Sequence, residues 1–470
     1  MRTTPLAPAR PSPAPPAGRT HEWTLLAALS VSAAMGGLDA SIVNTVLPVV
    51  TRAFGSDVAT TEWVITVYLL VLSGLLLSMG RLGDLWGHRP LYLRGLLVFV
   101  LGSGLSGLAP SVELLVAARA LQALGAAMVS ATAPAILTAA IPAARRGRAF
   151  GINAMAVYLG LVVGPGLGGL LADHWGWRAV FYVTVPVGLL AFAVSARVVP
   201  AGPPPRRDER FDWWGAGTFT LGLMALLLGL NQGHAWGWSA PATVGCFALA
   251  ACTLGLFLVL EQRLASPMLD LSLFGQRLFS AAIASAVLNY MAAYAVVFLT
   301  PFYLLQARGL SPSQTGLIVS AMPVVMVLVA PISGALSDRF GSRALAVGGM
   351  TVLTLGLFLL SRLTVDTPLP ALVAALMVAG LGIGTFSSPN TNAALGAAPA
   401  PRRGVASAVL GTGRNLGMVL GIGLAGAALT TGLAGATDTP AQAIAQGVDA
   451  GFLLAAAVAA VGIFTSAARG

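Results

Sequence analysis

The chain has 470 residues, of which 57% are hydrophobic and only 9% are charged. A soluble protein carries roughly a quarter charged residues, so this one cannot cover a water-facing surface, and a soluble enzyme is excluded. The net +10 comes from 26 arginines, with no lysine, against 16 acids; a G-x-x-x-x-G-K-[ST] phosphate loop lacks its lysine, and the arginines form no stripe, which excludes an intrinsic P-loop ATPase and nucleic-acid binding.

Residues 1–22, rich in Pro, Ala and Arg, cannot bury a core and read as a disordered cytoplasmic tail. Their prolines interrupt the apolar stretch that a signal peptide needs, so the first long run reads as an uncleaved span. Fourteen apolar runs follow, near 23–49, 61–80, 91–109, 113–140, 149–172, 178–199, 212–231, 239–260, 279–305, 314–336, 344–361, 369–396, 404–433 and 450–468. A helix crosses a bilayer in about 20 residues, so the fold expected is an all-α integral membrane protein of fourteen transmembrane helices. The runs starting at 113, 369 and 404 exceed one span, and tilt or kinks are expected there.

The arginines support that count. With alternate loops on alternate sides, twenty fall on the side of the N-terminus and four (Arg52, Arg178, Arg308 and Arg362) on the other. Arg119 and Arg414 fall within spans. Positive charge marks the cytoplasmic side, so the expected location is the cell inner (plasma) membrane with both termini in the cytoplasm.

Two short loops repeat. GRLGDLWGHR (80–89) and GALSDRFGSR (334–343) share Gly, Leu, Asp, Gly and Arg at the same offsets. Six spans would separate the copies in a two-fold carrier, yet eight do, so two spans are inserted between the halves. The expected division is a tail (1–22), a six-helix bundle (23–200), a linker with two extra helices (201–265) and a second six-helix bundle (266–470).

In the first loop Gly80, Gly83 and Gly87 permit close helix approach and a tight turn, and Asp84 with Arg89 can form a charge-assisted bond. Asp338 and Arg343 are their counterparts in the second copy. Asp39 lies within the first run, where a carboxylate costs at least ~2.5 kcal/mol on insertion scales and is functional by default. Arg119 lies in the fourth run with Gln122 on its face, and Glu113 is its nearest acid in sequence. A structural Asp39–Arg119 pair is the plain alternative to a proton-coupling site. In the fifth run, GLVVGPGLGG (160–169) combines Pro165 with Gly160, Gly164, Gly168 and Gly169, a bend and a close helix contact. GSGLSG and GIGLAG match G-x-G-x-x-G, but no strand precedes either, so no dinucleotide site is read there. Cys246 and Cys252 have no companion ligand, and no metal is expected.

Taken together, LDASIVNTVLPVV (38–50), the loop at 80–89, RALQALGAA (119–127), GLVVGPGLGG and WGWRAVFYVTVPVG (175–188) resemble the major facilitator superfamily, in particular its fourteen-span drug:proton antiporter branch. The resemblance implies that the loops at 80–89 and 334–343 latch the halves when the carrier faces outward. It also implies that the arginine at 119 takes part in proton transfer, and that GLVVGPGLGG is the antiporter motif of exporters.

In the last six spans no acid falls mid-helix, and Arg414 is the only charge there. Either it faces a cavity that takes neutral, zwitterionic or anionic amphiphiles, or it snorkels to the inner surface. Gln122, Asn289, Tyr290, Tyr294 and Asn390 are further candidates for the pocket, though packing is the commoner role for each. The function expected is proton-coupled export of hydrophobic or amphiphilic small molecules by alternating access. The carrier would work as a monomer, without a cofactor, on the proton gradient. A proton-coupled importer of a sugar or organic acid is the alternative within transport. A membrane-embedded transferase, which would need paired acidic motifs, is the alternative outside it.

Overall fold

Hydrocarbon offers the backbone no hydrogen-bond partner, so a chain this apolar must satisfy its amides within helices. The computed structural model describes residues 19–201, 209, 211–264, 267–434 and 440–469, and among them there is no strand. Most of the expected tail and linker, residues 1–18, 202–208 and 210, lies outside the described residues.

Among the described residues fourteen helices are long and apolar enough to cross a membrane: α1 Glu22–Phe54, α2 Thr60–Trp86, α3 His88–Leu108, α4 Val112–Ala140, α5 Ala143–Trp175, α6 Ala179–Val198, α7 Trp213–Gly233, α8 Pro241–Arg263, α9 Arg277–Ala307, α10 Gln314–Phe340, α11 Ser342–Leu360, α12 Leu369–Ala397, α13 Ala400–Leu429 and α14 Ala441–Ala467. Each matches an expected run. Several extend beyond it, because a helix continues into the interface where polar residues are tolerated; α5 thus carries Arg145, Arg146 and Arg148 in its first turns. The same extension corrects one reading: Asp449 lies inside α14, within electrostatic reach of Arg362, and not at a helix end. The long α4 and α12 hold Pro134 and Pro389 without a break in the helix.

Local signals place the ends. Asp57 caps α2 by accepting the Thr60 N–H at 2.6 Å, and Ser311 forms a reciprocal box with Gln314 just before α10. Gly87 and Gly341, at matching places in the two loops, have φ of 96° and 82°. A side chain is strained there, so both tight turns require glycine.

The first six helices pack together, with α1 on α5 and α4 on α2 and α3; the last six do likewise, with α9 on α13 and α12 on α10 and α11. Between the halves, α2 lies on α13 and α5 lies on α10. Adding eight to each number turns one half's partners into the other's, so these two seams are copies of one another. The inserted α7 and α8 pack as a pair, with α7 along α2, where Thr220 donates to the Gly74 carbonyl at 2.9 Å and Leu223 and Leu227 are buried against Leu70.

Candidate functional site

Asp39, midway along α1, is 1% exposed. Its Oδ1 and Oδ2 accept from Arg119 Nη1 of α4 at 3.1 and 2.9 Å, and Oδ1 also accepts from Gln122 Nε2 at 2.8 Å. Arg119 Nη1 donates to Gln122 Oε1 at 2.7 Å and its Nε to the Val64 carbonyl of α2 at 3.2 Å. The Tyr68 ring covers the guanidinium, with Cζ 4.2 Å from its centroid. Every partner of the carboxylate is a donor, which suits its ionised form. Val64 is in the first turns of α2 and Arg119 in those of α4, so the network lies toward the end of the bundle opposite the repeated loops. Glu113 does not join it. It is exposed in the first turn of α4, because the helix turns that position away from Arg119.

The glycines of α5 form the wall behind this network. A Cβ on Gly160 would stand 2.4 Å from the Ala34 carbonyl oxygen, one on Gly164 1.8 Å from Ser41 Oγ and one on Gly168 2.8 Å from Ile42 Cγ1. These three, four residues apart, bring α5 against the stretch of α1 that holds Asp39. Pro165 is exposed, and a Cβ on Gly169 would meet nothing within 4 Å, so neither belongs to the contact.

At the other end the repeated loops join the halves. Asp84, in the last turn of α2, accepts the Gly404 and Val405 N–H groups at 2.8 and 2.9 Å. Asp338, in the last turn of α10, accepts the Gly147 and Arg148 N–H groups at 2.7 and 2.9 Å. Both carboxylates therefore cap the positive start of a helix in the opposite half, α13 and α5 respectively. The backbones must be close for this: a Cβ on Gly404 would lie 2.4 Å from the Gly80 carbonyl oxygen, and one on Gly147 2.4 Å from that of Gly334. Gly83 leaves room for His88, whose Nε2 is 3.4 Å from Asp84 Oδ1.

The bond expected between Asp84 and Arg89 is not made. The tight turn at Gly87 sends Arg89 into α3, where it donates to the Ala196 carbonyl of α6 at 2.6 Å. Arg343 lies in the first turn of α11. The sequence reading missed the acceptors' true partners, which are backbone groups. A readable signal existed: P-A-x-R-R-G occurs at 142–147 and again at 399–404, and both copies form a short 3-10 turn leading into a helix.

Beside the first latch, Arg81 is 1% exposed and donates to Glu209 of the linker at 2.7 Å. Asp212, which caps α7, and Glu261 of α8 converge nearby: Asp212 Oδ2 and Glu261 Oε1 both border Gly215. The inserted pair thus meets the latch loop through charge. The second loop has Ala335 where the first has Arg81.

Between the halves, midway along the helices, Arg414 of α13 donates to Thr391 Oγ1 of α12, and its Cζ lies 5.6 Å from the Tyr290 ring centroid of α9. Tyr290 and Tyr294 are neighbours at 6.5 Å. Tyr158 of α5 completes the group, within electrostatic reach of Tyr290, Tyr294 and Arg414 and bonded to Ser387; it is one tyrosine among the small residues before the glycine motif. Next to Arg414, Asn415 donates to Ser73 of α2 at 2.8 Å, so the cluster touches both halves. Three expected pocket residues lie elsewhere, Gln122 among them in the Asp39 network. Asn289 is buried toward α11, its Nδ2 3.3 Å from Met350 Sδ, and Asn390 is held by Arg469 and the Ala282 carbonyl. An apolar groove of about 460 Å³ between α11 and α14 is open at the outer surface, lined by Thr351, Leu355, Phe358 and Ala460 among others, and includes none of these residues.

Fourteen helices, two symmetric inter-half seams and a buried charge network define a membrane carrier, and the chain belongs to the Major Facilitator Superfamily, whose family model matches residues 29–286 and 282–468. It is 33% identical to the riboflavin transporter RibZ of Clostridioides difficile (strain 630), over 85% of this chain and 87% of that one. It is 36% identical to the multidrug resistance protein Stp of Mycobacterium tuberculosis (strain ATCC 25618 / H37Rv), over 88% of this chain and 77% of that one. The crystal structure of the human organic anion transporter MFSD10 shares the fold, with a TM-score of 0.68 at 15% identity, covering 95% of this chain and 99% of that one. These relatives are transporters, not enzymes.

Proposed function

We propose that the chain is a proton-coupled antiporter that exports hydrophobic or amphiphilic small molecules across the cytoplasmic membrane by alternating access. The observation that carries this reading is the Asp39–Arg119–Gln122 network, a buried acid whose partner has further contacts of its own and whose loss of charge is felt by three helices. Protonation of Asp39 removes the charge that holds Arg119. Arg119 then keeps the Val64 carbonyl, Gln122 Oε1 and the face of Tyr68. Each change of charge at Asp39 thereby alters how α1 is tied to α2 and α4, while the glycine wall of α5 transmits movement of α1 to its own half.

The name of Stp, a multidrug resistance protein, supports export of foreign compounds. Latches closed at one end, with the acid toward the other, fit a carrier awaiting a proton from outside. No cofactor is required: a proton crossing 100 mV supplies about 2.3 kcal/mol, which is about fiftyfold accumulation in an ideally coupled monomer. The test is transport in proteoliposomes under an imposed pH gradient, comparing the wild-type chain with Asp39→Asn. Uphill export in the wild type and only downhill exchange in the variant is the expected result. Equal uphill transport by both would remove Asp39 as the coupling acid.

A further inference from the structure

We propose that the transported molecule is a planar aromatic anion, and that Arg414 supplies its counter-charge; this deepens the antiport reading and rests on it. A guanidinium within a span costs at least ~2.5 kcal/mol on insertion scales and is retained only where it is paired or used. Arg414 stands eleven residues beyond Arg403, the first α-helical residue of α13, roughly 16 Å along the axis and near the midpoint of a 30 Å hydrocarbon layer. Its guanidinium does not run to the surface. It reaches Thr391 on a neighbouring helix, and Tyr290 lies beside it.

Arg414 has no carboxylate partner among the described residues, and its buried Nε makes no hydrogen bond. The acids carried by the spanning helices nearest in kind are committed elsewhere. Asp39 is held by Arg119, Asp338 by the start of α5, and Asp449 lies with Arg362 at the other end. The contrast within the molecule is direct: Arg119, also within a span, comes with an acid, whereas Arg414 comes with three tyrosines. Three phenol rings and one uncompensated cation recognise a flat ring system that carries a negative group, with stacking for the rings and a charge-assisted bond for the phenolate or carboxylate. A cationic drug would have to approach Arg414 with no acid to offset it. Because Tyr158 belongs to one half and Arg414 to the other, such a ligand would also bridge the seam that must open and close.

Two xanthene dyes share one scaffold and differ in charge: fluorescein is anionic and rhodamine 123 cationic. Equilibrium binding to the purified full chain in detergent, without any gradient, reads the charge preference independently of coupling. Wild-type protein is expected to bind fluorescein at least tenfold more tightly than rhodamine 123. Arg414→Gln should lose that preference through weaker fluorescein binding, and Arg414→Lys should keep part of it. Gel-filtration and thermal-unfolding profiles establish that both variants are folded. Tighter binding of rhodamine 123, an unchanged ratio in Arg414→Gln, or no binding of either dye overturns the proposal. Fluorescein bound with the expected preference, yet not moved against its gradient in proteoliposomes, would sink the antiport reading and leave the assignment of Arg414 intact.

Discussion

Asp84 and Asp338 are reciprocal: each is carried by one half and accepts two backbone N–H groups from the first turn of a helix in the other. The bonds use the amides that every helix start leaves unpaired, so each latch needs one carboxylate and no dedicated side-chain partner. Each seam is thus held at this end by two charge-assisted bonds.

Replacing either aspartate by asparagine leaves one helix N–H facing an NH2 group that cannot accept. A hydrogen bond to a charged group contributes about 1.5–3 kcal/mol, so Asp84→Asn and Asp338→Asn should each cut the closed population about tenfold to a hundredfold. Ser407 lies buried at the seam, with its Oγ 3.4 Å from the Ser130 carbonyl oxygen. Ser407→Cys, in a background where Cys246 and Cys252 are serine, should react with maleimide correspondingly faster in both variants. Unchanged labelling rates would mean that the aspartates do not hold the seam.

The pairing of Asp39 with Arg119 separates structure from coupling. Asp39→Asn strands a buried guanidinium, and breaking a buried pair in this way costs about 3–5 kcal/mol. Thermal unfolding in detergent should show a clear loss for Asp39→Asn and recovery in the double variant Asp39→Asn/Arg119→Gln. Gradient-driven transport should be absent from both. A stable double variant that still pumps would show that the pair is only a brace.

The wall of α5 predicts a position-specific response. Gly160→Ala drives a methyl group into the Ala34 carbonyl and the Leu38 amide, at 2.4 and 2.6 Å. Those atoms are backbone and cannot turn aside, so α1 and α5 must part, at about 1–3 kcal/mol. Gly169→Ala meets open space and should leave stability equal or slightly higher, since alanine favours the helix. Melting temperatures and transport rates of the two variants, measured side by side, check this; equal effects would contradict the stripe.

The fourteen spans were legible because each must supply its own length of apolar sequence, and the arginine bias could not survive a missed helix. The latches were located for a related reason, since a repeated Gly–Asp–Gly pattern between spans has few uses. Their partners were not legible, because backbone amides have no letter in the sequence. Glu113 and Asn390 misled for a different reason: chemical type and proximity along the chain do not say which way a helical residue faces. Asp39 with Arg119 came through because a charge in lipid stands out without any knowledge of geometry. Tyr158 did not, since a tyrosine in an apolar helix is ordinary until a neighbouring helix brings Arg414 beside it.

The charge that surrounds Arg81 breaks the equivalence of the two latches. Glu209 ties the first loop to the linker, and α7 runs along α2 and also touches α13, so the inserted helices sit beside the seam that Asp84 closes. Alanine at position 335 leaves the Asp338 loop without a counterpart of the Arg81–Glu209 pair. Two clasps in different surroundings are not mechanically equivalent. If the halves part at this end, the α2–α13 seam opens against the linker and the inserted α7, whereas the α5–α10 seam has neither beside it.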